Sequence, residues 1–290
     1  MANTKDIKNR IKSTKSIEKI TAAMKMTSTT KLKKYQRMAE EARPYSEKLT
    51  DMVRALSAGS AQMNNPLFGV REKKRVLYIV IGADGGLCGS YNANVLKKAE
   101  EQIKRHRDAG IDVTVVPCGK KCAAYFAKRT GITVAEPVLD LGKISFKRAE
   151  DLATSARESF ESGATDAVYI VYSRFVSAMS QKPDFSKLLP MTPRHEGIID
   201  SSKLTMDLIF EPGMEEILAA LLPQYLNTLV FHAVTEALAS EHGARMTAMT
   251  SANSNAQDLL SELSLQYNKA RQSIITNELI DIVNGVSGIK

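Results

Sequence analysis

Val76-Leu77-Tyr78-Ile79-Val80-Ile81 runs without a polar interruption into Gly82-Ala83-Asp84-Gly85-Gly86-Leu87-Cys88-Gly89. Six consecutive apolar residues, aliphatic but for one tyrosine, fit a strand buried on both faces, the signature of a parallel sheet covered by helices. A glycine-rich loop after such a strand, with helical periodicity from Asn92 to Arg107, starts a strand–loop–helix unit. Going outward, Ile111–Val116 reads as a second strand, Lys120–Arg129 as a helix and Ile132–Val134 as a short strand. Phe146–Ser162 is a further helix, Ala167–Tyr172 a strand, and Phe175–Gln181 its antiparallel partner across a turn. This alternation predicts a three-layer, Rossmann-like α/β domain over residues 73–205.

On either side the period changes from two to three and four. Asn3 is a candidate N-cap with Asp6 three positions on, and neither Gly nor Pro occurs from there to Ala42, so a long helix is predicted over 1–58, with Pro44 as a possible bend. Its small or apolar positions fall in three blocks: Ile7, Ile11, Thr14; then Ile17, Ile20, Met24, Ser28; then Leu32, Tyr35, Ala39, Ala42. The register shift between blocks suggests a winding stripe rather than a strict heptad. Gly59 to Lys74, with Asn64-Asn65-Pro66, is linker-like. The last segment, 207–290, has no proline after Pro223 and reads as one helix from Gln224 to about Asn284. At about 1.5 Å per residue such a helix extends roughly 90 Å, longer than the roughly 50 Å diameter of a compact chain of this size. Its stripe is small at Ala244, Ala248, Ala252 and Ala256 and bulky at Leu259, Leu263, Tyr267 and Ile274. Helices with such stripes are stable only when packed. The predicted fold is therefore an antiparallel coiled coil of the two terminal helices with the α/β domain inserted between them, the C-terminal helix outrunning its partner.

Residues 1–37 hold eleven Lys or Arg against Asp6 and Glu18, while the rest of the 290-residue chain is close to neutral. So cationic a helix calls for an acidic partner: nucleic acid, an anionic membrane surface or an acidic protein wall. A basic coiled-coil adaptor for nucleic acid or membranes is one such function. Against it, Tyr35 and Tyr45 are the only aromatics before Phe68, too few to stack single-stranded bases. No apolar run of about 18 residues is uninterrupted, and MANTKDIKNR lacks the apolar stretch of a secretory signal, so a bacterial cytoplasmic location without membrane insertion is expected. Cys88, Cys118 and Cys122 give neither a disulfide framework nor zinc-ligand spacing, and core thiols are expected.

Catalytic chemistry is not legible. The 82–89 loop departs from Gly-x-Gly-x-x-Gly and lacks the Gly-Lys-Ser/Thr ending of a phosphate loop, so a structural turn organised by Asp84 is expected. Ser240-Glu241-His242 cannot form a relay, because successive helical residues diverge by about 100°. Glu241 and Arg245, four apart, suit a helix-face ion pair. His106, His195, His232 and His242 have no ligand spacing. No catalytic, cofactor or metal residue is therefore assigned.

Three blocks carry a family resemblance. They are Ile7-Lys-Asn-Arg-Ile-Lys-Ser13 with Lys19-Ile-Thr-Ala-Ala-Met-Lys-Met26; Gly85-Gly-Leu-Cys-Gly-Ser-Tyr-Asn92; and Ser240-Glu-His-Gly-Ala-Arg-Met-Thr-Ala-Met249 with Tyr267-Asn-Lys-Ala-Arg-Gln-Ser-Ile-Ile-Thr276. The chain resembles the gamma subunit of F-type ATP synthases along its whole length. The resemblance implies a non-catalytic central-stalk rotor in a hexamer of alpha and beta subunits, with the epsilon subunit and the membrane c-ring at its foot, on the cytoplasmic face of a bacterial inner membrane. It further implies that Met24 and Lys25 lie near an acidic lever segment of beta, that Arg271, Gln272 and Thr276 meet catch loops, and that Met206–Glu211 belongs to the foot. It implies no nucleic acid. Where family members usually carry a Ser-Asp-Arg-Gly loop, this chain has Ala83-Asp84-Gly85.

Overall fold

The computed structural model describes residues 4–59, 65–143, 146–191 and 213–287. In chain order its elements are α1 (Thr4–Gly59), β1 (Arg75–Ile81), α2 (Tyr91–Asp108), β2 (Asp112–Cys118), α3 (Lys120–Phe126), β3 (Thr133–Val134), α4 (Phe146–Glu161), β4 (Ala167–Phe175), β5 (Gln181–Leu189) and α5 (Met214–Ser287). Two compact units emerge, one of residues 29–244 and one joining 1–28 to 245–290.

In the larger unit the five strands lie in the order β3-β2-β1-β4-β5. The β1–β2, β1–β4 and β2–β3 pairings are parallel and β4–β5 is antiparallel. The doubly wound order puts β1 at the centre, where every residue from Val76 to Ile81 is buried, as its unbroken apolar run requires. Val76, Tyr78 and Val80 pack with Tyr91, Val95, Ala99 and Ile103 of α2 and with Cys122 and Phe126 of α3. By strand alternation Leu77, Ile79 and Ile81 face the other way, toward the side on which α4 buries Leu152, Ala153 and Phe160. Tyr78, Tyr169 and Phe185 stack across β1, β4 and β5.

The hairpin expectation needs correcting. Phe175 ends β4, residues 176–180 form the turn, and the antiparallel partner is Gln181–Leu189. Val176, Ala178 and Met179 look like strand in sequence. Reciprocal backbone bonds between Ser177 and Ser180, reinforced by the Ser177 hydroxyl, close the chain there instead.

α5 also begins earlier than expected. It starts at Met214 and carries Pro223 inside it, as α1 carries Pro44. Leu218, Leu222, Leu226, Val230, Ala233, Val234 and Ala237 are buried and make this stretch a core helix of the larger unit. Although no apolar run of about 18 residues is uninterrupted, α5 contains an 18-residue window of mean hydropathy 1.5, apolar enough by composition alone to cross a bilayer.

α1 departs most from its expected seam. Ile7, Thr14, Thr21, Ser28, Tyr35, Leu49 and Leu56 are buried at multiples of seven, with half-buried Ala42 in the same series. This is a regular heptad, and Ile17 and Ile20, placed in the seam from sequence, are 51% and 58% exposed. Hydroxyl side chains take the seam because they can satisfy themselves on their own helix, as the Thr21 hydroxyl does by donating to the Glu18 carbonyl at 2.9 Å. On α5 the buried series is Met249, Ala256 and Leu263, again seven apart, while Ala244, Ala248 and Ala252 are only half-buried and Leu259 is exposed. The helices run antiparallel in both units. In the smaller unit Glu18 and Thr21 meet Asn253, and in the larger one Tyr35 stacks on His242 and Tyr45 bonds Gln224.

Candidate functional site

In a sheet of this order a ligand crevice would open outside the carboxyl ends of β1 and β4, where the connections diverge. The 82–89 loop sits there and is held by its own side chains. The Asp84 carboxylate accepts N–H bonds from Lys120 at 3.1 Å, Asp140 at 3.3 Å and Leu141 at 2.8 Å. It thereby occupies the start of α3, where a phosphate would otherwise sit. The Asn92 side-chain oxygen accepts the Ala83 N–H at 3.0 Å. Gly82 and Gly119 permit close approach: a Cβ on Gly82 would lie 2.4 Å from Cys122 Sγ, and one on Gly119, at φ +95°, would lie 2.7 Å from the Gly82 carbonyl oxygen. Leu87 adopts φ 59° and is exposed.

α5 fills the crevice from the other side. The Tyr91 hydroxyl donates to the Ala237 carbonyl at 3.1 Å, and the buried Ser240 hydroxyl donates to the Ser173 carbonyl at 2.8 Å, near the end of β4. Gly243 lies so close that a Cβ would meet Phe175 at 3.3 Å and the Ala178 carbonyl oxygen at 3.4 Å. Cavities of about 500 and 710 Å³ lie elsewhere, one beside Lys104, Phe126 and Arg129, the other at the amino ends of β1 and β2 near Arg75 and Asp112.

Ser240 and His242 point into different surroundings, and the charge of Glu241 acts on the same Tyr35 that His242 meets. Ser240 serves β4, while His242 stacks on Tyr35 with ring centroids 5.5 Å apart and planes 6° apart. Burial, and then the charge of Glu241, raise the Tyr35 phenol above its ordinary value, and its hydroxyl donates to the Gly142 carbonyl at 3.1 Å. Glu241 and Arg245 are both buried, a setting the sequence pattern did not indicate. His106 bonds Tyr78, His232 lies 3.9 Å from Glu236, and His195 falls outside the described residues. Among the described residues no group of three His, Cys, Asp or Glu could hold a metal. The three cysteines are buried, and burial pushes the Cys122 thiol up to about 12.

Glu236 was not legible in sequence. One of its carboxylate oxygens is buried with no hydrogen-bond partner. Burial pushes this carboxyl up to about 7; Arg174 and Arg43 oppose the rise and Asp184 adds to it.

The smaller unit presents a different kind of surface. All eleven basic residues of positions 1–37 are exposed, including those that continue into the larger unit. Lys25 is exposed and Met24 half-buried on α1; Arg271, Gln272 and Thr276 are exposed on α5, where the Thr276 hydroxyl donates to the Gln272 carbonyl at 2.9 Å. Beyond Leu263 the apolar residues Ile274, Ile275, Leu279, Ile280 and Ile282 are all exposed. Met206–Glu211 lies outside the described residues.

Residues 3–289 match the ATP synthase family. The ATP synthase gamma chain of Pelotomaculum thermopropionicum is 38% identical over 291 residues, and those of Heliobacterium modesticaldum and Desulforamulus reducens are 41% and 40% identical, each alignment covering 100% of both chains. Solved structures with the same fold include a chain of the Euglena gracilis mitochondrial ATP synthase in rotational state 3, with TM-score 0.68 and 22% identity over 99% of this chain and 94% of that one. A chain of the Tetrahymena thermophila mitochondrial ATP synthase central stalk and c-ring gives TM-score 0.59 at 22% identity, over 80% of this chain and 99% of that one.

Proposed function

This chain belongs to the ATP synthase gamma chain family, and from that premise we propose that it is the central-stalk rotor of a bacterial F-type enzyme and does no chemistry of its own. The observation that carries this is the filled crevice. Where a doubly wound sheet would take a nucleotide, Asp84, Tyr91 and Ser240 are spent on internal bonds and α5 occupies the space. The α/β domain then serves as a mount, and the functional surface is the outside of the coil.

A shaft can drive chemistry in its neighbours if each orientation binds one neighbour conformation better than another, since only differential affinity shifts a population. Moving an equilibrium from 1:99 to 99:1 takes about 5.5 kcal/mol of such difference. An asymmetric two-helix coil supplies it through shape and charge. The exposed cations of α1, Lys25 among them, act on acidic segments of the alpha and beta subunits over a screening length of about 8 Å at physiological salt. Met24 packs beside that contact, and Arg271, Gln272 and Thr276 bond loops around the upper shaft. Glu241 and Arg245 are a supporting pair rather than contacts. In this division residues 1–58 and 207–290 form the shaft and 73–205 the mount, which meets the epsilon subunit and the c-ring. The complex sits peripherally on the cytoplasmic face of the inner membrane.

The test is reconstitution. A tagged chain should co-purify from its host with alpha, beta and epsilon subunits, and adding it to gamma-depleted complex should restore ATP hydrolysis coupled to proton pumping. Purification with nucleic acid and without those subunits would refute the proposal.

A further inference from the structure

The coil of the smaller unit has a weakly interlocking seam. Along α1 its buried residues after Ile7 are Thr14, Thr21 and Ser28, and on α5 the central one is Ala256. Small side chains make shallow ridges and grooves, so they hold two helices together without strongly fixing their axial register. A slip of one helical turn would move one helix about 5.4 Å along the other.

Across this seam lies one polar clasp. The Asn253 side-chain amide donates to the Glu18 main-chain carbonyl at 2.9 Å and to the Thr21 hydroxyl oxygen at 3.2 Å. The Thr21 hydroxyl spends its own proton on the same carbonyl, at 2.9 Å. Both partners therefore present acceptors to Asn253, which fixes the amide with its NH₂ toward α1. One turn farther along α5, the Gln257 amide donates to the Glu18 carboxylate at 3.4 Å. Residues 18 and 21 on one helix and 253 and 257 on the other thus engage over a full turn of each.

We propose that Asn253 is a positioning residue that locks the axial register of the two-helix coil, so that rotor orientation is transmitted rather than lost to sliding. The functional half rests on the rotor assignment above. A single polar residue in a coiled-coil seam can specify register, and here a one-turn slip carries the Asn253 donor from Thr21 to the level of Ile17 or of Met24 and Lys25, none of which offers a side-chain oxygen acceptor. The clasp adds little to stability. When Asn253 is removed the Glu18 carbonyl keeps the Thr21 hydroxyl, so no buried acceptor is orphaned. Register and stability should therefore separate on mutation.

The experiment uses the full chain with cysteines at exposed positions 8 and 254, offset by roughly 17 Å along the coil so that an axial slip changes their separation almost in full, spin-labelled for pulsed distance measurement, with the chain carrying only its buried native thiols as the blank. The parent should give one narrow distance peak. Asn253→Ala should give a second peak or a broadening of about 5 Å, one helical turn, with little change in melting temperature. Asn253→Leu, which fills the same volume without a donor, should do the same and guards against simple loss of packing. A single unshifted peak in both variants overturns the lock. In the reconstituted complex, Asn253→Ala should keep ATP hydrolysis within about two-fold of the parent while protons pumped per ATP fall at least two-fold. An unchanged ratio beside a split distance peak overturns the functional half alone. Failure of the parent itself to support pumping overturns the rotor assignment, and the distance measurement still decides the lock.

Discussion

Replacing Glu236 with Gln tests the electrostatics of the larger unit, because the carboxyl is flanked by groups from four elements. They are His232 on α5, Arg43 on α1, Tyr172 and Arg174 on β4, and Asp184 on β5. Its side chain is 17% exposed, with one oxygen buried and unpartnered. The folded-state pKa of about 7 stands above the ordinary 4.5. A raised pKa means that folding favours the protonated form. The associated stability is fully present below 4.5 and is lost as pH rises through 7. The full shift converts to about 3 kcal/mol, and screening at the partly open edge reduces this to about 1–2 kcal/mol. Gln is neutral at every pH, so Glu236→Gln should match the parent at pH 4.5 and exceed it at pH 8. At about 2–4 °C per kcal/mol for a unit of this size, the gain at pH 8 is roughly 2–8 °C. His232, whose pKa burial lowers, contributes with the opposite sign: its stability is present above the ordinary 6.5 and lost as pH falls through its folded value. That contribution is common to both proteins and largely cancels in the difference. Calorimetric melts of parent and variant from pH 4.5 to 8.5 measure it. A difference that does not grow with pH, or a variant less stable at pH 8, would refute the reasoning.

Ala256→Leu overfills a buried seam position and should cost about 1–3 kcal/mol, whereas Ala23→Leu on the exposed face of α1 should leave the melt unchanged; equal melts for the two would mean the seam is misplaced. Asp84→Ala strips an acceptor from three backbone N–H groups and should destabilise the larger unit by roughly 1–3 kcal/mol in urea unfolding. Titration calorimetry of ATP into the parent chain should show no binding tighter than roughly 100 µM, about 5.5 kcal/mol, and stoichiometric binding above that strength would restore a nucleotide site. Arg271→Ala with Gln272→Ala should leave the isolated chain's melt unchanged, Ala being the best helix former. It should weaken coupled pumping in the complex by removing charge-assisted bonds of about 1.5–3 kcal/mol, and full coupling would remove these two residues from the contact surface.

The sequence by itself determined which elements exist, because the signals are local. The unbroken run Val76–Ile81 required a strand covered on both faces, the change of period marked the two terminal helices, and the absence of Gly before Gly59 matched the length of the first, which continues through Pro44. Family membership was equally legible, carried by contiguous blocks such as Ser240–Met249. What the tertiary structure decided were matters that depend on which neighbour a residue meets. The seam of α1 was misplaced at Ile17 and Ile20 because hydrophobicity was taken there as the marker of burial, whereas Thr21, left out of the expected stripe, is buried with a hydroxyl small enough for close packing. The 176–180 turn was hidden by apolar side chains that take no part in its backbone bonds. The 82–89 loop was legible as a structural turn organised by Asp84, but not what Asp84 would hold, since it finds its three donors 36 to 57 positions away and Tyr91 finds Ala237 across 146. Asn253 and Glu236 gave no signal at all. An amide on a helix is ordinary until a carbonyl 235 residues away accepts from it, and a carboxylate is ordinary until four elements close around it and strip the water from one of its oxygens.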